Sequence, residues 1–145
     1  MTTKLMIGLD GTDTGDRALA HGARLSTLIG DCELLLVYVI EWSPYSFQTA
    51  EENAQRKKRR DEEISIANER VIEPALERLR STGLQARGLV RHGDVADTLD
   101  AVAVQEQVEQ MVVGRASDGG FARRLFGSST ANLVMNASVP VTVVN

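Results

Sequence analysis

The segment Glu33-Leu34-Leu35-Leu36-Val37-Tyr38-Val39-Ile40 limits the choice of folds more than any other part of the chain. Its apolar side chains do not alternate with polar ones. A strand of that kind is buried on both faces, as in a parallel sheet covered by helices. Four more segments read as strands. Leu5 to Leu9 ends in the turn Asp10-Gly11-Thr12. Gln85 to His92 is half polar and belongs nearer a sheet edge. Gln110 to Gly114 and Val139 to Val144 complete the set.

Segments of helical spacing lie between these runs. Asp13 to Leu28 places Ala18, Leu25 and Leu28 inward, with Ala23 and Ile29 beside them, and stops at Gly30-Asp31. A long charged helix runs from about Ala50 to Arg80. Pro74 should kink or interrupt it, because proline lacks an N–H and its ring clashes with the preceding turn. Gly93-Asp94 opens a helix with Val95, Leu99, Val102 and Ala103 on one face. Ser128 to Ala137 forms another, with Ala131, Val134 and Met135 inward. The alternation βαβαβαβαβ predicts a doubly wound five-stranded parallel sheet with helices on both faces. A length of 145 residues favours one domain, 1–145.

Several chemistries are excluded by inspection. A phosphate-binding P-loop ends in Gly-Lys-Ser/Thr, and none of Lys4, Lys57 and Lys58 follows a glycine. No two glycines are spaced Gly-x-Gly, which removes the dinucleotide fingerprint. There is no Gly-x-Ser-x-Gly elbow. His21 and His92 are the only histidines, and Cys32 is the only cysteine, which rules out an internal disulfide. A net charge of −4 argues against nucleic acid as a partner. The basic run Arg56 to Arg60 is flanked by Glu51-Glu52 and Asp61-Glu62-Glu63, and reads as a solvated helix face. No apolar run is long enough to cross a membrane. The start, Met1-Thr2-Thr3-Lys4-Leu5, lacks a secretory pattern, so a cytoplasmic location is expected.

One glycine-bearing segment remains, from Gly114 to Thr130, between the fourth strand and the fourth helix. Gly127-Ser128-Ser129 falls where a helix N-terminus offers unpaired N–H groups and the positive end of its dipole. That is a place for a phosphate. It is equally the place for an ordinary N-cap and turn. In strand order 3-2-1-4-5 the ends of the first and fourth strands flank the reversal where ligands settle. Asp10 and the 114–130 loop then share a crevice, with Val39 on its wall. Asp10 either contacts a ligand or cation there or serves as a turn carboxylate. His92 ends the third strand and is a candidate for the same crevice, whereas Cys32 reads as a small buried hydrophobe. Trp42, Pro44, Tyr45 and Phe47 either cap the crevice or fill a local cluster.

These residues resemble those of the universal stress protein family over nearly the whole chain. Ile7-Gly8-Leu9-Asp10-Gly11-Thr12 is similar to the family's opening strand and turn, and Leu36-Val37-Tyr38-Val39 to its second strand. Gly93-Asp94-Val95-Ala96-Asp97 resembles the turn into its third helix. Val112 to Ser128 resembles its nucleotide loop, and Val139 to Val144 its closing strand. ATP-binding members carry Gly, two residues, Gly, nine residues, Gly, then Ser or Thr. This chain keeps the spacing at Gly114, Gly127 and Ser128 but has Ser117 at the second glycine. The resemblance implies an adenine-nucleotide site of Leu9, Asp10, Gly11, Thr12, Val39, Gly114, Arg115, Ser117, Gly127, Ser128 and Ser129. It implies ATP, or ADP or AMP, with Mg2+ held through phosphates beside Asp10 or Ser128. It also implies a homodimer through Val139–Val144, and a sensor or regulator acting on a protein partner that the sequence does not identify. Two alternatives share this fold: a slow ATPase, and a dimer that works without nucleotide because of Ser117.

Overall fold

The computed structural model describes residues 2–41, 49–115 and 129–145. In chain order they form β1 (Thr3–Leu9), α1 (Asp13–Ile29), β2 (Cys32–Glu41), α2 (Ala50–Ala67), a π-helical turn (Asn68–Ile72), α3 (Glu73–Arg80), β3 (Gln85–Gly93), α4 (Val95–Glu106), β4 (Gln110–Gly114), α5 (129–136) and β5 (Val141–Val144). The strands make one parallel sheet in the order β3-β2-β1-β4-β5, as expected.

β1 lies at the centre, with Ile7 opposite Leu36 on one side and Val112 on the other. Side chains of successive strand residues point to opposite faces, so the unbroken apolar run of β2 feeds two cores. Leu34 and Leu36 join Leu5, Ile7, Ala18, Leu19, Ile72 and Leu76 beneath α1 and α3. Leu35 and Val37 join Met6, Met111, Leu99, Val102 and Leu133 beneath α4 and α5. Every strand residue in these two sets is fully buried.

The helix phases depart from the sequence reading at three points. Leu28 and Ile29 occupy the last turn of α1 and are exposed. In α5 the inward side chain is Leu133, 3 % exposed, while Ala131 is exposed and Val134 and Met135 face outward at 58 and 79 %. The apolar residues of α5 surround most of the helix, so spacing alone did not choose its inner face. The predicted break at Pro74 is present but falls earlier. The π turn bonds Glu73 N to Asn68 O, and Pro74 then sits in the first turn of α3, where a missing N–H costs nothing. The widened turn seats Ile72 on the sheet. A Cβ on Gly88 would lie 2.3 Å from Ile72 Cγ2, so β3 has a glycine at that position.

α2 is polar on nearly every side, and Ala67 alone is buried. Its start is held by a reciprocal capping box between Thr49 and Glu52. At the far edge, Pro140 has no N–H to give, and β5 begins at Val141 rather than Val139. The Pro140 carbonyl still accepts from Met111 N at 2.9 Å.

An ion cluster ties β3 to its neighbours at the opposite end from the crevice. Arg87 Nε reaches Glu33 Oε1 at 2.9 Å, and Nη2 reaches Glu106 Oε2 at 2.6 Å. Lys4 Nζ donates to the Glu106 carbonyl. Hydrogen bonding to Arg87 holds the Glu106 carboxyl below its usual range, chiefly against the opposing effect of burial. A carboxyl depressed in the folded state stabilises above its unfolded pKa, and that contribution is lost as pH falls through the folded value. Arg87→Ala should therefore lower the urea midpoint at pH 7, and the gap from wild type should narrow as pH drops below about 4. A pH series of urea melts checks this.

Candidate functional site

The chain order reverses between β1 and β4, and their carboxyl ends diverge to leave a crevice. Its floor begins at the turn after β1. Asp10 Oδ1 accepts from Thr12 N at 2.9 Å, Thr12 Oγ1 at 2.6 Å and Gly15 N at 3.2 Å. One carboxylate oxygen thus shapes the turn and satisfies a free N–H at the start of α1. Gly11 makes the bend at φ +77°, in the left-handed region. The other oxygen, Oδ2, takes part in none of these bonds.

α1 then passes very close to the end of β4. A Cβ on Gly114 would lie 2.2 Å from Thr14 Cγ2 and 2.7 Å from Thr14 O. The contact includes backbone, which cannot swing aside. Gly114 is therefore required by helix-to-strand packing whether or not a ligand approaches it. Across the crevice, Thr130 Oγ1 reaches the Gly114 carbonyl at 3.4 Å. Arg115 N donates to Val144 O, joining β4 to β5.

The crevice has a volume of about 280 Å³, close to the lower end for small-molecule sites, roughly 300 Å³. Gly8, Leu9 and Asp10 line it from β1 and its turn, and Tyr38 to Glu41 from β2. Val95 and Leu99 of α4, Val113 and Gly114 of β4, and Ser129, Thr130 and Leu133 of α5 complete it. Among the described residues its walls are mainly apolar, and the charged side chains lining it are the carboxylates of Asp10 and Glu41. Tyr38 is half-buried, and burial, followed by the charge of Asp10, pushes its phenol pKa up.

Of the residues predicted from sequence, Leu9, Asp10, Val39, Gly114 and Ser129 line this crevice. Gly11 and Thr12 build the turn beside it, and the exposed Arg115 lies at the end of β4. Ser117, Gly127 and Ser128 lie outside the described residues, as do Trp42, Pro44, Tyr45 and Phe47. His92 does not line the crevice; its Nε2 lies 3.0 Å from Glu63 Oε2 of α2. Cys32 is buried at the start of β2, at the opposite end of the sheet, and burial raises its thiol pKa. Among the described residues no group of three His, Cys, Asp or Glu could hold a metal ion.

Sequence reasoning missed Gly8, Tyr38, Ile40, Glu41, Val95, Leu99, Val113 and Leu133 as crevice residues. The signal for the β2 residues was their position, since the last residues of a central parallel strand border any ligand at its carboxyl end. Leu133 lies one helical turn beyond Ser129.

The universal stress protein family profile matches residues 1–145. The chain belongs to the universal stress protein family. It is 28% identical over 142 residues to a universal stress protein of Mycolicibacterium smegmatis, covering 97% of this chain. It spans only 47% of that relative's length. Universal stress protein UspA from Lactobacillus plantarum has the same fold, with a TM-score of 0.81, 19% identity and coverage of 99% of this chain and 97% of that one. A family member from Arabidopsis thaliana, crystallised with AMP bound, superposes with a TM-score of 0.65 at 16% identity, covering 98% of this chain and 90% of that one.

The contact at Gly114 makes a prediction of its own. Gly114→Ala should destabilise the protein by about 1–3 kcal/mol, the usual cost of overpacking, in the absence of any nucleotide. A urea melt of ligand-free protein measures this, and an unchanged midpoint would show that α1 does not pack as described.

Proposed function

We propose that this universal stress protein binds an adenine nucleotide in the crevice between β1 and β4 and acts as a regulator rather than a fast catalyst. The observation that carries the reading is the cavity itself. It is apolar enough for a base, lies at the strand-order reversal, and is bounded by Asp10, Val39, Gly114 and Ser129. The Arabidopsis relative that holds AMP supports adenine as the base. The base lies against Leu9 and the Val39 segment, and the sugar lies over the Asp10 turn. The phosphates extend toward Ser129, and the spacing of the family motif assigns Ser117, Gly127 and Ser128 to them as well. ATP with Mg2+ is the expected ligand, on the spacing of the motif at Gly114, Gly127 and Ser128, and ADP and AMP share the same adenosine contacts. With no Gly-Lys-Ser/Thr in the sequence and no histidine lining the crevice among the described residues, bound ATP is retained rather than rapidly hydrolysed. The protein works in the cytoplasm.

The second part of the proposal concerns assembly. β5 is an edge strand, with Val143 39% exposed and Val141 partly buried. An apolar edge of this kind invites pairing with another strand. We propose a homodimer formed through Val139–Val144, presenting a surface to a regulatory protein.

Calorimetric titration with ATP and AMP, with and without Mg2+, tests the ligand. Gly127→Val should weaken ATP binding at least tenfold while leaving the circular dichroism spectrum intact. If wild-type protein takes up neither nucleotide and releases none on heating, the nucleotide-independent reading through Ser117 replaces this one. Val143→Lys, which puts a charge on the pairing edge, should convert the dimer to a monomer in sedimentation velocity. A monomeric wild type would refute the dimer.

A further inference from the structure

The carboxyl end of β2 presents a polar atom that neither the fold nor the sequence motif accounts for. Tyr38 is half-buried on the crevice wall, yet no hydrogen bond engages its hydroxyl among the described residues. A phenol in that setting ordinarily finds a partner. The Tyr38 side chain packs against the first core. A Cβ on Gly11 would touch Val71 Cγ2 at 3.8 Å and Tyr38 Cε1 at 4.0 Å, so the π turn, the Asp10 turn and the tyrosine ring converge on one point. Tyr38 is thus positioned by packing rather than by hydrogen bonding. Asp10 lines the same cavity, and its three hydrogen bonds all fall on Oδ1.

The two atoms, neither with a hydrogen-bond partner among the described residues, have complementary chemistry. A carboxylate oxygen only accepts, a phenol in this position has a proton to donate, and a sugar hydroxyl does both. We infer that Tyr38 determines specificity for a ribonucleotide: its hydroxyl donates to a ribose hydroxyl, which in turn donates to Asp10 Oδ2. This rests on the adenine-nucleotide reading and adds to it a choice of sugar. A deoxy sugar would leave both protein atoms facing an apolar gap, and unmade hydrogen bonds of that kind discriminate strongly.

The test compares AMP, 2′-deoxyAMP and 3′-deoxyAMP by calorimetry on wild type, Tyr38→Phe and Asp10→Asn. Phenylalanine keeps the ring that packs against the first core, so the melting temperature should stay close to wild type. Asparagine keeps an acceptor for the turn and replaces the other oxygen with an NH2 group. Wild type should bind AMP about tenfold more tightly than one of the deoxy nucleotides, in the range expected for one good hydrogen bond, and the weaker one identifies the hydroxyl. Each variant should lose that preference by binding AMP about as weakly as wild type binds the deoxy form. A Tyr38→Phe protein that keeps the wild-type preference overturns this inference and leaves the nucleotide site standing. A wild type that binds none of the three nucleotides overturns the site reading and this inference together.

Discussion

The crevice depends on how closely α1 can approach β4. Thr14 sits so near Gly114 that no side chain fits between them, and this contact sets the direction in which α1 leaves the sheet. The Asp10 turn holds the helix start at that height by giving one oxygen to Thr12 and Gly15. Without these contacts α1 would ride farther out, and the ends of β1 and β4 would lose their common wall. Backbone packing and a three-bonded carboxylate oxygen therefore build the floor on which any ligand chemistry rests.

That arrangement leads to a division of labour within single residues. Asp10 gives Oδ1 to the turn, and its Oδ2 makes no hydrogen bond to the described residues. The Tyr38 side chain packs against the first core, and its hydroxyl has no hydrogen-bond partner among the described residues. Val39 faces the second core and also borders the crevice. In a chain of 145 residues the site has few positions of its own. It borrows the outer atoms of residues whose inner atoms are structural.

Much of the fold was legible in the sequence, because its strongest signal is local. The unalternating run of β2 called for cover on both faces, and the half-polar β3 duly lies at an edge. What local reading missed depends on contacts distant in sequence. The spacing of the nucleotide motif singled out Gly114 as an approach to phosphate, but its tightest neighbour is Thr14, a hundred residues earlier. The inward face of α5 could not be read from a helix with apolar residues on several sides, and only the packing of Leu133 decides it. The proline in the charged helix announced a break, but its placement one turn earlier follows from Ile72 fitting over Gly88. Crevice residues such as Tyr38 carry no motif and are found only when the strand ends are assembled in space.

α2 differs from the other helices in a way that bears on how the molecule tolerates change. Its first turns rest on almost no core, and its capping box supplies locally the support that burial supplies elsewhere. Side chains of its first turns, Ala50 to Gln55, are all exposed, so exchanges there, Glu52 of the capping box aside, leave the sheet below unchanged. The second half of the helix is different, because Glu63 holds His92 of β3 and Ala67 enters the first core.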